Sequence, residues 1–205
     1  MSADHSAIDQ PASFAFSSEN AARARQIMVR YPAGRQASAV IPLLDIAQRQ
    51  SGGWLPRAAM DHVAEVLEMA PIRVYEVASF YSMFNLRPVG KHLIQVCRTT
   101  PCWLRGSDDL TNTCKKKLGV GLKEPTADDM FSVMEVECLG ACVNAPVVQI
   151  NDDFYEDLDP ARLEAIIDGI RQGKPSRIGS QTGRQGSAPE GGPQVLRDSP
   201  AGAGE

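Results

Sequence analysis

Four of the five cysteines in this 205-residue sequence fall into two closely spaced pairs. In the first pair four residues separate Cys97 from Cys102, and in the second three residues separate Cys138 from Cys142. Each pair begins where a short apolar segment, typical of a β-strand, ends. Loops at the ends of neighbouring strands can face one another, so the spacing predicts four thiols around one small volume.

Four converging thiolates are a ligand set for a soft metal centre. A [2Fe–2S] cluster needs two thiolates on each iron beyond its bridging sulfides, and two pairs of cysteines supply that number. Such a cluster is negatively charged and becomes more so on reduction, so the chain must surround it with N–H dipoles. Cys102 precedes a helix predicted to begin near Ser107, whose amino end is positive. Gly140 permits a tight turn with its amides facing inward.

Two other uses of paired cysteines stay open at this point. Structural zinc sites usually have C-x2-C pairs but accept spacings up to C-x4-C, so a zinc-stapled interaction module is an alternative. A free thiol oxidoreductase is another, although the C-x-x-C pair of thioredoxin-type redox sites is absent from the sequence. An odd number of cysteines fits poorly with a fully paired disulfide framework.

The fifth cysteine is predicted to be structural. Cys114 shares one face of a predicted helix with Leu110 and Leu118, and a buried free cysteine behaves as a small hydrophobic residue. We therefore expect Cys114 in the hydrophobic core and not among the ligands.

Other polar residues that could carry chemistry are also interpreted structurally. The histidines are scattered, none lies near a cysteine pair, and each is expected to be solvated or partly packed: His5, His62 and His92. An acidic cluster lacks the spacing of an EF-hand and is expected to form a turn and a solvated face: Asp152, Asp153, Glu156, Asp157 and Asp159. Gly119 of a lone G-x-G is interpreted as a helix cap, because no strand precedes it.

Composition limits the class of protein. The formal net charge is −4, and no basic stripe interleaves with aromatic residues, so no nucleic-acid partner is expected. No apolar run reaches the ~18 residues of a membrane-spanning helix. The acidic N-terminus lacks the features of a signal or transit peptide. We expect a cytoplasmic protein without direct membrane insertion.

The first part of the chain has helical periodicity, from residue 17 to about residue 80. Val63, Val66 and Leu67 share one face of a predicted helix. Pro71 suits the first turn of another. Pro42 lies within an apolar stretch, so its helix either starts late or is kinked.

From Phe80 onward short strands alternate with helices. Residues 92–96 and 131–137 are predicted strands that lead to Cys97 and Cys138. The segments 147–150 and 154–155 are predicted to form a hairpin.

Two helices are predicted in the same region. Ser107 is expected to cap a helix that ends at Gly119. The pair Asp159-Pro160 is expected to open a closing helix. Its buried stripe consists of Leu163, Ile166, Ile167 and Ile170.

The segments around the cysteines resemble a known family. Residues 96–105 (VCRTTPCWLR) and 135–146 (EVECLGACVNAP) are similar to the E subunit of bacterial NADH–quinone oxidoreductases, the thioredoxin-like [2Fe–2S] subunit of respiratory complex I. The hairpin at 147–157 and residues 81–84 are similar too, and the resemblance extends over roughly residues 17–190. Small subunits of NAD-dependent formate dehydrogenases and NAD(P)-linked hydrogenases look alike and remain alternatives.

The resemblance implies a site and a function. One [2Fe–2S] cluster would be held by Cys97, Cys102, Cys138 and Cys142, one pair on each iron. The chain would transfer single electrons as a subunit of the oxidoreductase, without a complete catalytic site of its own. NADH and FMN would bind a partner subunit, and a multi-cluster iron–sulfur subunit would lie nearby. The complex would hold the chain peripherally on the cytoplasmic face of the inner membrane.

The predicted fold class is α/β: an N-terminal helical bundle, then a thioredoxin-like [2Fe–2S] ferredoxin domain with a small mixed sheet. The predicted divisions are a flexible leader (1–16), the bundle (17–80), the thioredoxin-like domain (81–173) and a Gly/Pro-rich tail (174–205). The tail has little apolar surface to bury, so we expect it to be ordered only against a partner. The isomer of the Ala145–Pro146 bond stays open.

Overall fold

The computed structural model describes residues 8–174, 176–184 and 186. The chain divides between Lys91 and His92 into two compact units. The first is helical and the second combines helices with a sheet, and each contains its own hydrophobic core. Within the described ranges, no helix combines the length and the apolar character needed to cross a bilayer.

The first unit contains four helices around one core. They are α1 (Ser18–Met28), α2 (Val40–Gln50), α3 (Arg57–Val66) and α4 (Pro71–Phe80), with a 3₁₀ turn at Gln36–Ala39 before α2. Fully buried side chains from three of the helices meet in the core: Leu43, Leu44, Val63 and Val74.

Local sequence explains where these helices begin. Ser17 caps α1, because its hydroxyl accepts a hydrogen bond from the amide of Asn20 at 3.2 Å. Pro71 is the first residue of α4, as predicted. Pro42 lies in the first turn of α2, where its missing N–H costs no intrahelical bond. The predicted alternative of a late start is therefore wrong, because the helix begins at Val40, the first residue of the apolar stretch.

Aromatic residues of the leader pack against the first unit. The rings of Phe14 and Phe16 lie edge-on to the imidazole of His62, with centroid distances of 5.6 and 5.0 Å. The amide of Phe16 donates a hydrogen bond to Nε2 of His62 at 3.3 Å. The sequence predicts a flexible leader over residues 1–16, but Phe14 and Phe16 belong to the packed part of the unit.

The second unit contains a five-stranded mixed sheet with the strand order β2-β1-β3-β4-β5. β1 is parallel to β2, β4 is parallel to β5, and the two central pairings are antiparallel. The mixed sheet confirms the predicted fold class. The strands are β1 (His92–Cys97), β2 (Phe131–Val136), β3 (Val148–Ile150), β4 (Asp153–Glu156) and β5 (Gly179–Ser180). The helices are α5 (Thr100–Leu104), α6 (Ser107–Leu118) and α7 (Pro160–Arg171).

The two faces of the sheet have different roles. Successive side chains of a strand point to opposite faces. In β1, Ile94 and Val96 pack in the main core with residues of α6 and α7, whereas Cys97 belongs to a second, small apolar cluster with Cys102 and Val147. Cys114 is fully buried in the main core, as predicted.

The start of α6 differs from the prediction. Gly106, with φ of 93°, is the residue before the helix, and Ser107 is its first residue. The Ser107 hydroxyl is buried and has no hydrogen-bond partner among the described residues, so the prediction of a Ser107 cap is wrong. α5 ends at Leu104, and the short connection to α6 requires one residue with a positive φ. Glycine adopts this left-handed conformation without strain, and Gly106 occupies the position. Gly119 ends the helix with φ of 67°, as predicted.

The tail also differs from the prediction. Gly179 and Ser180 form β5, which pairs with Tyr155 and Glu156 of β4. The expectation that the tail has no structure of its own is therefore wrong for this segment, because backbone pairing and polar contacts hold it where apolar burial does not. Residues 187–205 of the predicted tail lie outside the described residues.

Candidate metal centre

The parallel pairing of β1 and β2 brings the two cysteine loops together. Cys97, the last residue of β1, is in register with Val136, the last residue of β2. The chain therefore leaves both strands at the same edge of the sheet. Cys138 follows β2 by two residues, so both loops begin side by side.

The first pair is enclosed by protein. Cys97 and Cys102 are 2% and 1% exposed, and they pack with Ala145 and Val147. The amide of Cys97 donates to the carbonyl of Val147 at 3.2 Å. The Thr99 hydroxyl lies 3.3 Å from the Cys97 sulfur, within hydrogen-bond distance. This pair forms the inner wall of the site.

The second pair forms the outer wall. Cys138 is exposed and Cys142 is partly exposed. Their sulfurs are 3.6 Å apart. That separation exceeds the ~2.05 Å of a disulfide and is near the ~3.8 Å between two thiolates on one tetrahedral metal with bonds of ~2.3 Å. The turn between them has Gly140 at φ of 81°, and its amide donates to the Cys138 sulfur at 3.4 Å.

Within each loop, the two thiols have different environments and their pKa values are shifted in opposite directions. Burial raises the pKa of Cys97, but hydrogen bonds from Thr99 and from backbone amides outweigh burial, and the net pKa is lowered. Burial raises the pKa of Cys102 to about 12, with a further contribution from Cys97. The amide of Gly140 lowers the pKa of Cys138, and the contact with Cys138 raises that of Cys142.

The structure places both predicted cysteine pairs at one edge of the sheet, and Leu139 and Ala141 of the second loop pack against the apolar cluster that contains Cys97 and Cys102. Among the described residues, no three side chains of His, Cys, Asp or Glu converge in the manner of a site for one metal ion. A two-iron cluster is larger, and it uses one pair of thiolates for each iron. Two pairs on facing loops, with N–H and O–H groups directed at sulfur, fit that cluster.

The remaining candidate residues do not join this site. His92 begins β1, at the opposite end of the strand from Cys97, and its ring lies 5.6 Å from that of Phe131. His62 belongs to the first unit, and His5 lies outside the described residues. Asp157, predicted on a solvated face, is instead buried against Arg184. That prediction is wrong because the partner is distant in sequence.

The Ala145–Pro146 peptide bond, whose isomer the sequence left open, is cis. It lies between the loop of the second cysteine pair and β3. Sequence reasoning missed Thr99, although a hydroxyl two residues after Cys97 could have signalled a hydrogen bond to sulfur. It also missed the role of Arg184, for which the local sequence offers no signal.

Residues 24–171 match the family of thioredoxin-like [2Fe–2S] ferredoxins. The E subunit of NADH-quinone oxidoreductase from Rickettsia bellii is 62% identical over 158 residues, which cover 77% of this chain and 95% of that protein. The chain therefore belongs to the class of thioredoxin-like [2Fe–2S] ferredoxins. Within that class it belongs to the family formed by the E subunits of the NADH-quinone oxidoreductases.

Two further relatives extend the comparison. NADH dehydrogenase [ubiquinone] flavoprotein 2 of Dictyostelium discoideum, a mitochondrial protein, is 50% identical over 189 residues, 92% of this chain and 76% of that protein. Among solved structures, an NAD⁺-reducing [NiFe]-hydrogenase superposes with a TM-score of 0.56 and 26% identity. That match covers 64% of this chain and only 23% of the hydrogenase chain.

Proposed function

We propose that this chain holds one [2Fe–2S] cluster on Cys97, Cys102, Cys138 and Cys142 and transfers single electrons within an NADH-quinone oxidoreductase. When bound, the cluster supplies a centre that takes up and returns one electron at a time. The observation that supports the proposal most directly is the position of the two cysteine pairs at one edge of the sheet, where the second loop packs against the first pair.

The residues around the thiols divide the work of holding such a centre. The apolar cluster at Ala145 and Val147, with Leu139 and Phe154 against it, keeps water from the inner pair. A metal-bound thiolate can only accept, so the Thr99 hydroxyl would donate to the Cys97 sulfur as the Gly140 amide donates to that of Cys138, and both would offset negative charge there. The exposed Cys138 marks the side from which electrons enter or leave.

The partners follow from the same proposal. NADH and FMN would bind a flavin-bearing partner subunit, and a multi-cluster iron–sulfur subunit would lie nearby. The assembly would hold this chain peripherally on the cytoplasmic face of the inner membrane. The chain would have no complete catalytic site of its own. Gly119, the first glycine of the G-x-G at residues 119–121, caps the end of α6.

The likeness to the NAD⁺-reducing hydrogenase favours a second candidate, the equivalent part of such an enzyme. Identity of 62% over nearly the whole of a quinone-linked relative, against 26% for the hydrogenase, favours the first. Purification of the native complex with identification of its subunits distinguishes them. A nickel-containing protein in the same complex would establish the second.

Metal analysis of the anaerobically purified chain tests the cluster itself. We expect a reddish-brown protein with about two irons and two acid-labile sulfides per chain. Cys138→Ser/Cys142→Ser, which removes the outer pair, is the matched control and should lose the colour. Stoichiometric zinc in a colourless wild-type protein would overturn the proposal in favour of a zinc-stapled module.

A further inference from the structure

Asp157 and Arg184 form an ion pair that is removed from solvent. The exposed fractions of the two side chains are 7% and 13%. The guanidinium approaches both carboxylate oxygens of Asp157, and its Nε donates to Oδ2 at 3.0 Å. Ser180 also donates to Oδ2, at 2.6 Å. Burial raises the pKa of Asp157, but the hydrogen bonds from Arg184 and Ser180 outweigh it, and the net pKa is lowered. The carboxylate is therefore charged and fully engaged with the tail.

The same arginine also contacts the loop of the second cysteine pair. Its Nη2 donates to the carbonyl of Val143, the residue after Cys142, at 3.1 Å. Arg184 and Cys142 line one shallow surface depression. One guanidinium thus links the core of the unit, through Asp157, to the backbone next to a candidate ligand.

A second contact joins the two segments one residue further along. Asn144 is 3% exposed, and its side-chain amide donates to the carbonyl of Gly186 at 3.0 Å and to the carboxylate of Glu156. The backbone carbonyl of Asn144 accepts a hydrogen bond from the amide of Asp157 at 2.8 Å. β5 completes the attachment, because the amide of Gln181 donates to the carbonyl of Glu156 at 3.0 Å.

We propose that residues 176–184 and 186 form a clamp on the cluster loop and that Arg184 is a positioning residue for Cys142. Through the Val143 carbonyl the guanidinium fixes the backbone that carries this ligand, and through Asp157 it is itself fixed. Loss of the Arg184 side chain therefore frees the loop next to Cys142.

The geometry distinguishes positioning from a simple effect of charge. Arg184 is neutralised by Asp157, so its net electrostatic effect on a nearby negative centre is small. What it supplies is a planar fork that binds a carboxylate and a carbonyl at once, which a lysine ammonium cannot reproduce in the same geometry. The inference rests on the proposed cluster site, since it concerns how one of its ligands is held.

The test compares three full-length variants, Arg184→Gln, Arg184→Lys and Arg177→Gln. Arg177 is an exposed arginine of the same segment and serves as the matched control. Hydrogen exchange of the segment 176–186 in the chain prepared without iron reports the clamp alone. The EPR spectrum of the reduced protein and the rate of cluster loss in air report its effect on the site.

We expect Arg184→Gln to speed exchange of the segment at least tenfold, to broaden or shift the EPR signal, and to shorten the lifetime of the cluster several-fold. Arg184→Lys should fall between Arg184→Gln and the wild type, and Arg177→Gln should match the wild type. If the Arg184→Lys protein behaved like the wild type, the positive charge alone would account for the effect of Arg184. That outcome would overturn the inference that Arg184 positions the loop.

The two proposals can fail separately. A wild-type chain without iron would contradict the cluster, whatever the exchange data show. A wild-type chain with a normal cluster, together with an Arg184→Gln chain of unchanged EPR signal and cluster lifetime, would contradict the clamp alone. Circular dichroism shows whether Arg184→Gln has kept its fold. If it has not, the double variant Asp157→Asn/Arg184→Gln, which also removes the buried carboxylate charge, is tested instead. The expected outcomes are the same.

Discussion

At the scale of single residues, the two cysteine loops are organised alike. In each loop one thiol, Cys97 or Cys138, has a lowered pKa, because hydrogen-bond donors face its sulfur. The other thiol, Cys102 or Cys142, has a raised pKa. Since thiolates and not thiols bind metal, each loop offers one thiol that loses its proton more easily than an ordinary cysteine and one that holds it more tightly.

The first prediction at this scale concerns which cysteines hold iron. Replacing any one of Cys97, Cys102, Cys138 or Cys142 by Ser should abolish or greatly reduce the EPR signal of the reduced chain, because one iron of the cluster would lose one of its two thiolate ligands. Cys114→Ala is the control and should keep the signal, because Cys114 is buried in the main core. Full signal in one of the four variants, or its loss in Cys114→Ala, would refute the assignment.

Thr99 supports a second prediction. Its hydroxyl lies 3.3 Å from the Cys97 sulfur, and a hydrogen bond to a ligand sulfur stabilises the more negative, reduced state. Thr99→Val should therefore bind the cluster but lower its reduction potential. If about 1 kcal/mol of hydrogen bonding is lost, the decrease is about 40 mV for one electron. Thr99→Ser should keep the wild-type potential in a redox titration, and equal values for both variants would argue against this role.

At the scale of elements, regular patterns made some of the structure predictable. The stripes of α6 and α7 and the strands before Cys97 and Cys138 depend on local periodicity, which one sequence displays. The pairing of Asp157 with Arg184 depends on a contact between distant residues, and nothing near either residue signals it. The packing of Phe16 on His62 was missed for the same reason.

The leader provides a prediction at this scale. Phe16 is partly buried against His62, whereas Phe80 at the end of α4 is 80% exposed. Phe16→Ala should lower the free energy of unfolding of the helical unit by about 1–2 kcal/mol, because part of an aromatic side chain leaves its apolar contacts. Phe80→Ala should change it by less than about 0.5 kcal/mol. Chemical denaturation followed by circular dichroism measures both, and equal effects would show that the leader is not packed.

The Asp157–Arg184 ion pair of the clamp provides a prediction on the pH dependence of stability. The folded pKa of Asp157 is lowered, so its contribution to stability is complete above the unfolded value of ~3.9 and is lost as pH falls through the folded value. Asp157→Asn should cost about 3 kcal/mol near pH 6, because it leaves the Arg184 guanidinium buried without a charge partner. Below pH 4 the difference from wild type should shrink. Urea titrations of the cluster-free chain at both pH values measure it, and a constant difference would exclude the ion pair as its source.

At the scale of the whole molecule, the proposed function makes the chain an electron carrier that depends on another protein for the oxidation of NADH. Relatives from NADH-oxidising complexes share most of its length. The cluster-loaded chain should be reduced by dithionite and should stay oxidised with NADH alone, since on the proposed function the flavin that accepts the hydride belongs to the partner. Addition of the flavin-bearing partner should make NADH effective. Visible absorption follows both reactions, and direct reduction by NADH would contradict the assignment as a subunit without its own catalytic site.

The parallel pairing of β1 and β2 has one more consequence. Because the two cysteine pairs follow different strands, a bound cluster is a covalent crosslink that closes a loop of about 40 residues. By the chain-entropy rule for disulfides, closing such a loop destabilises the unfolded chain by about 4 kcal/mol. Loss of iron would then remove a stabilising crosslink from the domain as well as its electron carrier. A cell that degrades loosened chains would clear the empty form first and keep the filled one for assembly.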